Sequence, residues 1–341
     1  MIKEIIEKVI GFKNLNKNEA YAVMNYFIEG KANDCEIASF LTALRMKGET
    51  SEEITGFCRA MLEKVKPVRT RHEVVVDTCG TGGDRKNTFN ISTAAALIAA
   101  GAGVIIAKHG NRSVSSLCGS IDVLEALGVK TGLDTKDVSE CIDSIGIGFI
   151  FAPIAHPALR NVAEARKKVG IRTVFNILGP IVNPAGASAR VLGVYSKHLT
   201  DIVAAALKQL GVKRAMVVHG EDGMDEISIT ASSFISELKD GKIRQFILNP
   251  EDFGFKSRYS LDELKGSSPA ENAEIIRNIL GGSEKGAKRD VSILNAAAVI
   301  LVSGNSDNLN CAIDIAADSI DSGKALKKLN DLIKFTNKNF N

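Results

Sequence analysis

Val74-Val-Val-Asp-Thr-Cys-Gly-Thr-Gly-Gly-Asp84, continuing through Arg85-Lys-Asn-Thr-Phe-Asn-Ile-Ser-Thr93 into an alanine-rich run from Ala94 to Ala100, decides the fold. A short β-branched run ends in a polar residue, a glycine-rich loop follows, and a helix-forming stretch begins beyond it. That order is where open α/β sheets take up ligands. Gly80, Gly82 and Gly83 fall within four positions. Lacking Cβ atoms, they let backbone N–H groups turn toward an anion and approach it closely. Asn90, Ser92 and Thr93 add donors where the alanine-rich helix begins, and a helix N-terminus favours phosphate through its open N–H groups and dipole. Alone, the run reads equally well as an ordinary glycine-rich turn with a Ser/Thr cap. It is neither G-x-G-x-x-G nor a Walker loop, so neither nicotinamide nor ATP binding is indicated.

Working outward, further strand-like runs are Val104-Ile-Ile-Ala, Gly148-Phe-Ile-Phe, Arg190-Val-Leu-Gly-Val-Tyr, Ala215-Met-Val-Val and Ile227-Ser-Ile. Helical stretches such as Thr200 to Leu210 separate most of them, which predicts an α/β fold with a central, largely parallel sheet. Asp240-Gly241 between two apolar runs predicts a hairpin. From about Ala270 the pattern is helical again. The first 66 residues differ in texture: four short helices, read from stripes such as Ile2, Ile5, Ile6, Val9 and Ile10. Asn16 with Glu19, and Thr50 with Glu53, form capping boxes. Pro67 ends this helical region.

Composition bounds the remaining possibilities. The chain has 341 residues, 45% hydrophobic, with 43 basic and 40 acidic side chains and no Trp. The length favours two domains, and the apolar content excludes wholesale disorder. A net charge of +3 argues against a protein held to nucleic acid by bulk charge. The six cysteines are widely spaced, with no C-x-x-C, which reads as reduced thiols in the cytoplasm. The charged N-terminal run is no signal peptide, and no stretch reads as a membrane span.

Three further constellations carry chemistry. Lys108-His-Gly-Asn-Arg-Ser-Val-Ser-Ser116 follows a buried strand and offers two cations, an amide and three hydroxyls. Two such loops at neighbouring strand ends imply a ligand with phosphates at two places. His109 lacks an obvious orienting carboxylate and reads as structural. Glu221-Asp-Gly-Met-Asp-Glu226 gathers four carboxylates; Asp225 and Glu226 face one cation only on irregular backbone, because strand neighbours point oppositely. Mg²⁺ takes one or two protein carboxylates, water and substrate phosphates, while an acidic surface turn is the alternative. Arg166, beyond Phe151-Ala-Pro-Ile-Ala-His-Pro157, is able to bind a carboxylate in bidentate fashion, or to lie on a solvated helix face.

Together with Ala38-Ser-Phe-Leu-Thr-Ala-Leu-Arg-Met-Lys-Gly48, Leu294-Asn-Ala-Ala-Ala298 and Arg172-Thr-Val-Phe-Asn-Ile-Leu-Gly-Pro-Ile-Val-Asn-Pro184, these motifs closely resemble the anthranilate phosphoribosyltransferase family over nearly the whole chain. The resemblance implies Mg²⁺-dependent transfer of a phosphoribosyl group from 5-phosphoribosyl 1-pyrophosphate (PRPP) to anthranilate, in tryptophan synthesis. It implies a nucleoside phosphorylase/phosphoribosyltransferase-like fold: a small helical domain (1–70, with 158–184 returning to it), an α/β domain (71–341), and usually a homodimer through the helical domain. By position, Gly80, Gly82, Gly83 and Asp84 match the pyrophosphate and ribose loop. Thr88, Asn90, Ile91, Ser92 and Thr93 match the phosphate-binding helix start. Lys108, His109, Gly110, Asn111, Arg112, Ser113, Ser115 and Ser116, with Ser120, match further PRPP contacts. Ser92, Asp225 and Glu226 match metal ligands, and Gly80, Asn111 and Arg166 match anthranilate contacts. No covalent nucleophile is implied. Leu159 stands where the family usually has Met, and Val182 where Thr is common.

Two other readings are open to test. A pyrimidine nucleoside phosphorylase shares the fold but typically carries K-H-S-T-G-G, where this chain has Lys108-His-Gly-Asn-Arg112. A non-catalytic relative that binds nucleic acid would lose the pyrophosphate loop and the metal acids, which this chain keeps. The absence of Trp fits an enzyme of tryptophan synthesis that must be translated when tryptophan is scarce.

Overall fold

The structure is a computed structural model, and it describes residues 2–113, 117–255 and 259–338. The chain opens with four helices, α1 (Ile2–Ile10), α2 (Lys17–Ile28), α3 (Asp34–Lys47) and α4 (Ser51–Glu63). Both expected capping boxes form: Asn16 Oδ1 accepts from the Glu19 N–H, and Thr50 Oγ1 from the Glu53 N–H. A third, from Asn33 to Glu36, starts α3. Glu53 does more than cap. Its fully buried carboxylate also accepts from the Leu15 N–H at 2.9 Å and pairs with Lys47 Nζ at 2.9 Å, tying the α1–α2 link to α4. Phe27, Phe40 and Phe57 meet edge to face at 5.3 and 6.1 Å between centroids, each pair contributing about 0.5–1.5 kcal/mol beyond area burial.

The next stretch alternates strands and helices: β1 (Val76–Gly80), α5 (Ile91–Gly101), β2 (Ile106–Gly110), α6 (Ser120–Ala126), α7 (Thr135–Ile145) and β3 (Ile147–Phe151). Then come α8 (Ala152–Ala155), α9 (Arg160–Val169), α10 (Val174–Ile181), β4 (Ala189–Gly193), α11 (Leu199–Gln209), β5 (Arg214–Gly220), β6 (Ser233–Lys239) and β7 (Lys242–Leu248). Four helices close the described chain: α12 (Pro269–Leu280), α13 (Ala287–Ser303), α14 (Leu309–Asp321) and α15 (Lys324–Thr336). The sheet order is β3-β2-β1-β4-β5-β6-β7; the first five strands are parallel, and β6 and β7 antiparallel. The β6–β7 hairpin turns at Asp240-Gly241, both at positive φ, as a type I′ turn needs.

Helix α5 is apolar almost all round, which makes it a buried helix. It lies against β1 and β2 on one side and α13, α14 and α15 on the other. Helix α9 packs on α2 and α3, and α10 on α3 and α4, so Val162, Ala165, Phe175 and Leu178 share a core with the first four helices. The chain passes between this bundle and the sheet three times, near residues 66, 155 and 184. These passages are bonded side by side, Lys66 N–H to Ala155 O at 2.8 Å and Val68 N–H to Pro184 O at 3.1 Å.

Two local expectations are corrected. Ile227-Ser-Ile is not a strand. Its backbone donors go to side chains instead: Ile227 N–H to Asn295 Oδ1 and Ser228 N–H to Ser233 Oγ, while Asp222 collects the Ser228 and Thr230 hydroxyls. The valine run also leads into its strand more than it forms it. Val74 is 47% exposed, and β1 carries on through Cys79 and Gly80, because both pair with Leu192 and Gly193 of β4.

Candidate active site

In the sheet order the chain departs from β1 in both directions: β2 and β3 lie on one side, β4 and β5 on the other. Crevices at such reversals, beyond the carboxyl ends of parallel strands, hold ligands. Here a cavity of about 330 Å³ opens there. The loop after β1, the loop after β2, the start of α5, the acidic turn after β5 and the inner faces of α9 and α10 line it.

The acidic turn enters because two strands end in glycine. Gly80 and Gly193 are register partners on β1 and β4, and a Cβ on either would run into Asp225. Asp225 sits in this cradle and accepts from the Gly82 N–H at 2.6 Å. The turn from 221 to 232 is irregular, which satisfies the condition for Asp225 and Glu226 to face one region. Burial, then the charge of Asp84 nearby, pushes the Asp225 carboxyl above its usual range; burial and the charge of Asp225 do the same to Glu226. Like charges held this close in low dielectric call for a cation. Lys108 supplies part of it. Its side chain is buried, with Nζ donating to Thr78 O at 2.5 Å and Ser92 Oγ at 3.2 Å.

Among the described residues no three acidic, His or Cys side chains form a ready metal cage. That suits Mg²⁺, which completes a small protein oxygen set with water and substrate phosphate. Ser92, Asp225 and Glu226 offer hard oxygens on one wall, and the two carboxyls, raised by burial and by neighbouring acidic charge, would be ionised more readily beside a cation. The residues fit the ion.

At the start of α5 no side chain caps the helix: Asn90 turns its Nδ2 to Cys118 O instead, and its Oδ1 is buried without a partner. Thr88, Asn90, Ile91 and Ser92 line the cavity. Thr93 does not. It faces the core, fully buried, and its N–H bonds Asn90 O. Gly110, Asn111 and Ser113 of the second loop line the cavity with Ser120 at the start of α6, as does Arg112. The Arg112 guanidinium, however, already pairs with Asp122 at 3.1 Å and Glu125 at 2.7 Å, so its cation is spent on α6. Sequence counted two cations here; the structure leaves Lys108. Ser115 and Ser116 lie outside the described residues.

His109 lines the cavity, and its ring is packed 5.1 Å from that of His156. Its Nδ1 bonds Gly179 O at 3.1 Å, and His156 Nε2 bonds Val182 O at 3.0 Å. Burial pushes both rings down, His109 to about 4 and His156 to about 3, so both are neutral and pin the end of α10. Beneath them Asp77 is fully buried, accepting from the His109 N–H at 3.2 Å and Asn183 Nδ2 at 2.8 Å. Sequence reading did not mark Asp77, Asn183 or Gly193 as site supports. An acid inside a β-branched run was the available signal for Asp77.

Across the cavity, Arg166 lies with its guanidinium 4.6 Å from the centre of the Phe175 ring. Burial lowers its pKa, and among the described residues no carboxylate pairs with it. A half-buried cation beside an aromatic face, with no carboxylate partner among the described residues, suits a planar aromatic carboxylate.

A helical bundle beside a parallel sheet, with anion loops and a paired-acid turn between them, defines a glycosyl transferase of two parts. The glycosyl transferase family helical bundle domain matches residues 3–65, and the a/b domain of that family matches 72–326. The anthranilate phosphoribosyltransferase of Pelotomaculum thermopropionicum is 54% identical over 98% of this chain and 97% of its own. The crystal structure of anthranilate phosphoribosyltransferase from Thermus thermophilus superposes with a TM-score of 0.92 at 42% identity, covering 98% of this chain and 99% of that one. The Saccharomyces cerevisiae enzyme in complex with PRPP and Mg gives 0.88 at 29% identity, over 98% and 97% of the two chains. The chain belongs to the anthranilate phosphoribosyltransferase family.

Proposed function

We propose that the cavity carries out the family's reaction with the roles divided between its two walls. The reaction is transfer of the 5-phosphoribosyl group of PRPP to the amine of anthranilate, with release of pyrophosphate, in tryptophan biosynthesis. Gly80, Gly82, Gly83 and Asp84, the start of α5 through Ser92, and Lys108, Gly110, Asn111, Ser113 and Ser120 hold PRPP. Ser92, Asp225 and Glu226 hold Mg²⁺. Gly80, Asn111 and Arg166 hold anthranilate, with Arg166 on its carboxylate. The Arg166 guanidinium, half-buried beside Phe175 and with no carboxylate partner among the described residues, carries this reading.

Held by Ser92, Asp225 and Glu226, Mg²⁺ would supply neutralising charge for the pyrophosphate. Lys108 adds a cation on the same side, and the loop N–H groups add dipoles already in place. As the anomeric C–O bond to pyrophosphate breaks, the ribosyl carbon gains oxocarbenium character. The anthranilate nitrogen lone pair then forms the new C–N bond, and the amine proton is lost to solvent. Anthranilate's amine is a weak base and needs little deprotonation before attack, so positioning is the main demand on the protein. No side chain acts as a covalent nucleophile.

We read residues 1–70 with 158–184 as the helical domain and 71–341 as the α/β domain. Ile10, Phe12 and Met46, exposed by 53%, 66% and 72%, support a homodimer through the helical domain. Light scattering is expected to give twice the chain mass, and Phe12→Asp with Met46→Glu to shift it toward one. Among the described residues no helix is long and apolar enough to cross a membrane. Reduced thiols at Cys35, Cys58, Cys79, Cys141 and Cys311 support a cytoplasmic setting. Purified protein with Mg²⁺ and PRPP should extinguish anthranilate fluorescence; persistence of the signal at high enzyme refutes the reading.

A further inference from the structure

Arg172 does not line the cavity, yet it is bonded to one wall and built into the other. It occupies the short link between Gly170, the left-handed C-cap of α9, and Thr173, the N-cap of α10. Helix α9 carries Arg166 in its last turn, and α10 carries Phe175, Asn176 and Gly179 of the acceptor wall. From this link the guanidinium reaches the loop after β1, where Nη2 donates to the carbonyl of Gly83. Its Cζ lies over the Tyr195 ring, 4.0 Å from the centroid. Tyr195 is tied to the same loop, its N–H donating to Thr81 Oγ1 at 3.1 Å. Thr81 N–H in turn bonds Gly193 O at 2.9 Å. One planar cation is thus held between an aromatic face and a loop carbonyl, the two surfaces guanidinium serves best.

The bond has a directional consequence. In a trans peptide, C=O and N–H point oppositely. A Gly83 carbonyl held by Arg172 therefore turns the following N–H, that of Asp84, away from Arg172. An anion that draws that N–H toward itself favours the same peptide orientation. The loop geometry suited to pyrophosphate and the Arg172 bond support each other, and Arg172 is fixed in the link that sets where α9 ends and α10 begins.

We propose that Arg172 is a positioning residue that couples the two half-sites, so that an occupied pyrophosphate loop tightens the binding of anthranilate, and the reverse. This rests on the assignment of pyrophosphate to the loop after β1 and anthranilate to the Arg166 wall. Coupling is reciprocal in binding free energy, and commonly amounts to a factor of about 5 to 150.

The test uses the full-length protein with Mg²⁺ and no chemistry: the anthranilate Kd by calorimetry, with and without saturating inorganic pyrophosphate. In the unsubstituted protein, pyrophosphate should tighten anthranilate by about fivefold or more. In Arg172→Gln the factor should drop below about twofold, with the Kd in the absence of pyrophosphate little changed. Arg172→Lys, which keeps a donor but loses the planar stack, should fall between. Tyr195→Phe should keep the coupling and Tyr195→Leu should lose it, which gives an answer if Arg172→Gln does not fold. A coupling factor of one in the unsubstituted protein, or an equal factor in all variants, overturns the proposal. A purely structural role would weaken both ligands alike and leave the factor intact, which also overturns it. If anthranilate fails to bind at all and no turnover is seen, the assignment of function has failed instead.

Discussion

Arg166 shows how one side chain is defined by what surrounds it. Its charge is desolvated, stacked on Phe175 and unpaired among the described residues. Arg166→Ala should therefore raise the anthranilate KM by roughly ten- to a hundredfold, the equivalent of about 1.5–3 kcal/mol for a charge-assisted contact. Steady-state rates at saturating PRPP measure it, and an unchanged KM removes the assignment. His109 and His156 give a second test, through pH. Burial lowers both pKa values, to about 4 and about 3, while in the unfolded chain they titrate near 6.5. Below about pH 6.5 the unfolded state gains protons that the folded state refuses. The stability of neutral burial is thus complete above that pH, and is lost as pH falls through about 4 and then about 3. The slope is about 1.4 kcal/mol per pH unit for each histidine. His156→Gln should flatten urea-derived stability between pH 6.5 and 4 by about one proton; an unchanged slope would show that His156 titrates normally.

At the scale of elements, the helices were readable because their signals are local. Caps at Asn16 and Thr50, stops at Gly30 and Gly48, and stripes of Ile and Leu all lie within a few turns. Glu53 was legible as a cap but not as a buried hub, because its bonds to Leu15 and Lys47 depend on tertiary packing. Glu53→Ala should destabilise the protein by about 3–5 kcal/mol, since it strands the Lys47 ammonium as well as removing a cap. Chemical denaturation measures this; a loss below about 1 kcal/mol would mean the pair acts as an exposed one. The site was legible where it follows strands. Gly82, Lys108 and Asp225 converge as their places after β1, in β2 and after β5 suggest. It was illegible where a residue's direction depends on its neighbours. Thr93 turns inward because α5 is buried all round, and Arg112 turns to Asp122 and Glu125 because α6 presents them. Ile227-Ser-Ile has strand-like residues, but Asp222, Ser233 and Asn295 satisfy its backbone and side chains first.

The whole molecule sets a helical bundle beside a sheet, and residues from both line one cavity. In the proposed arrangement the anion-holding residues come from the sheet side, and Arg166 and Phe175 face them from α9 and α10, so the reaction would need the walls at a fixed separation. The three side-by-side passages near residues 66, 155 and 184, knitted by backbone bonds from Lys66 and Val68, dictate how that separation can change. Three passages in one seam resist sliding and twisting, and α4 also packs on α11 and shares a core with Leu192, Val203 and Val217, so packing joins the halves as well as chain. Ligand is expected to draw the acceptor helices toward the sheet while that shared core holds each half to its internal geometry. Distances between spin labels on α2 and on α12 should shorten with Mg²⁺-PRPP, and those within either half should stay constant. A shift within a half, with no change across the cleft, would show that only the loops close.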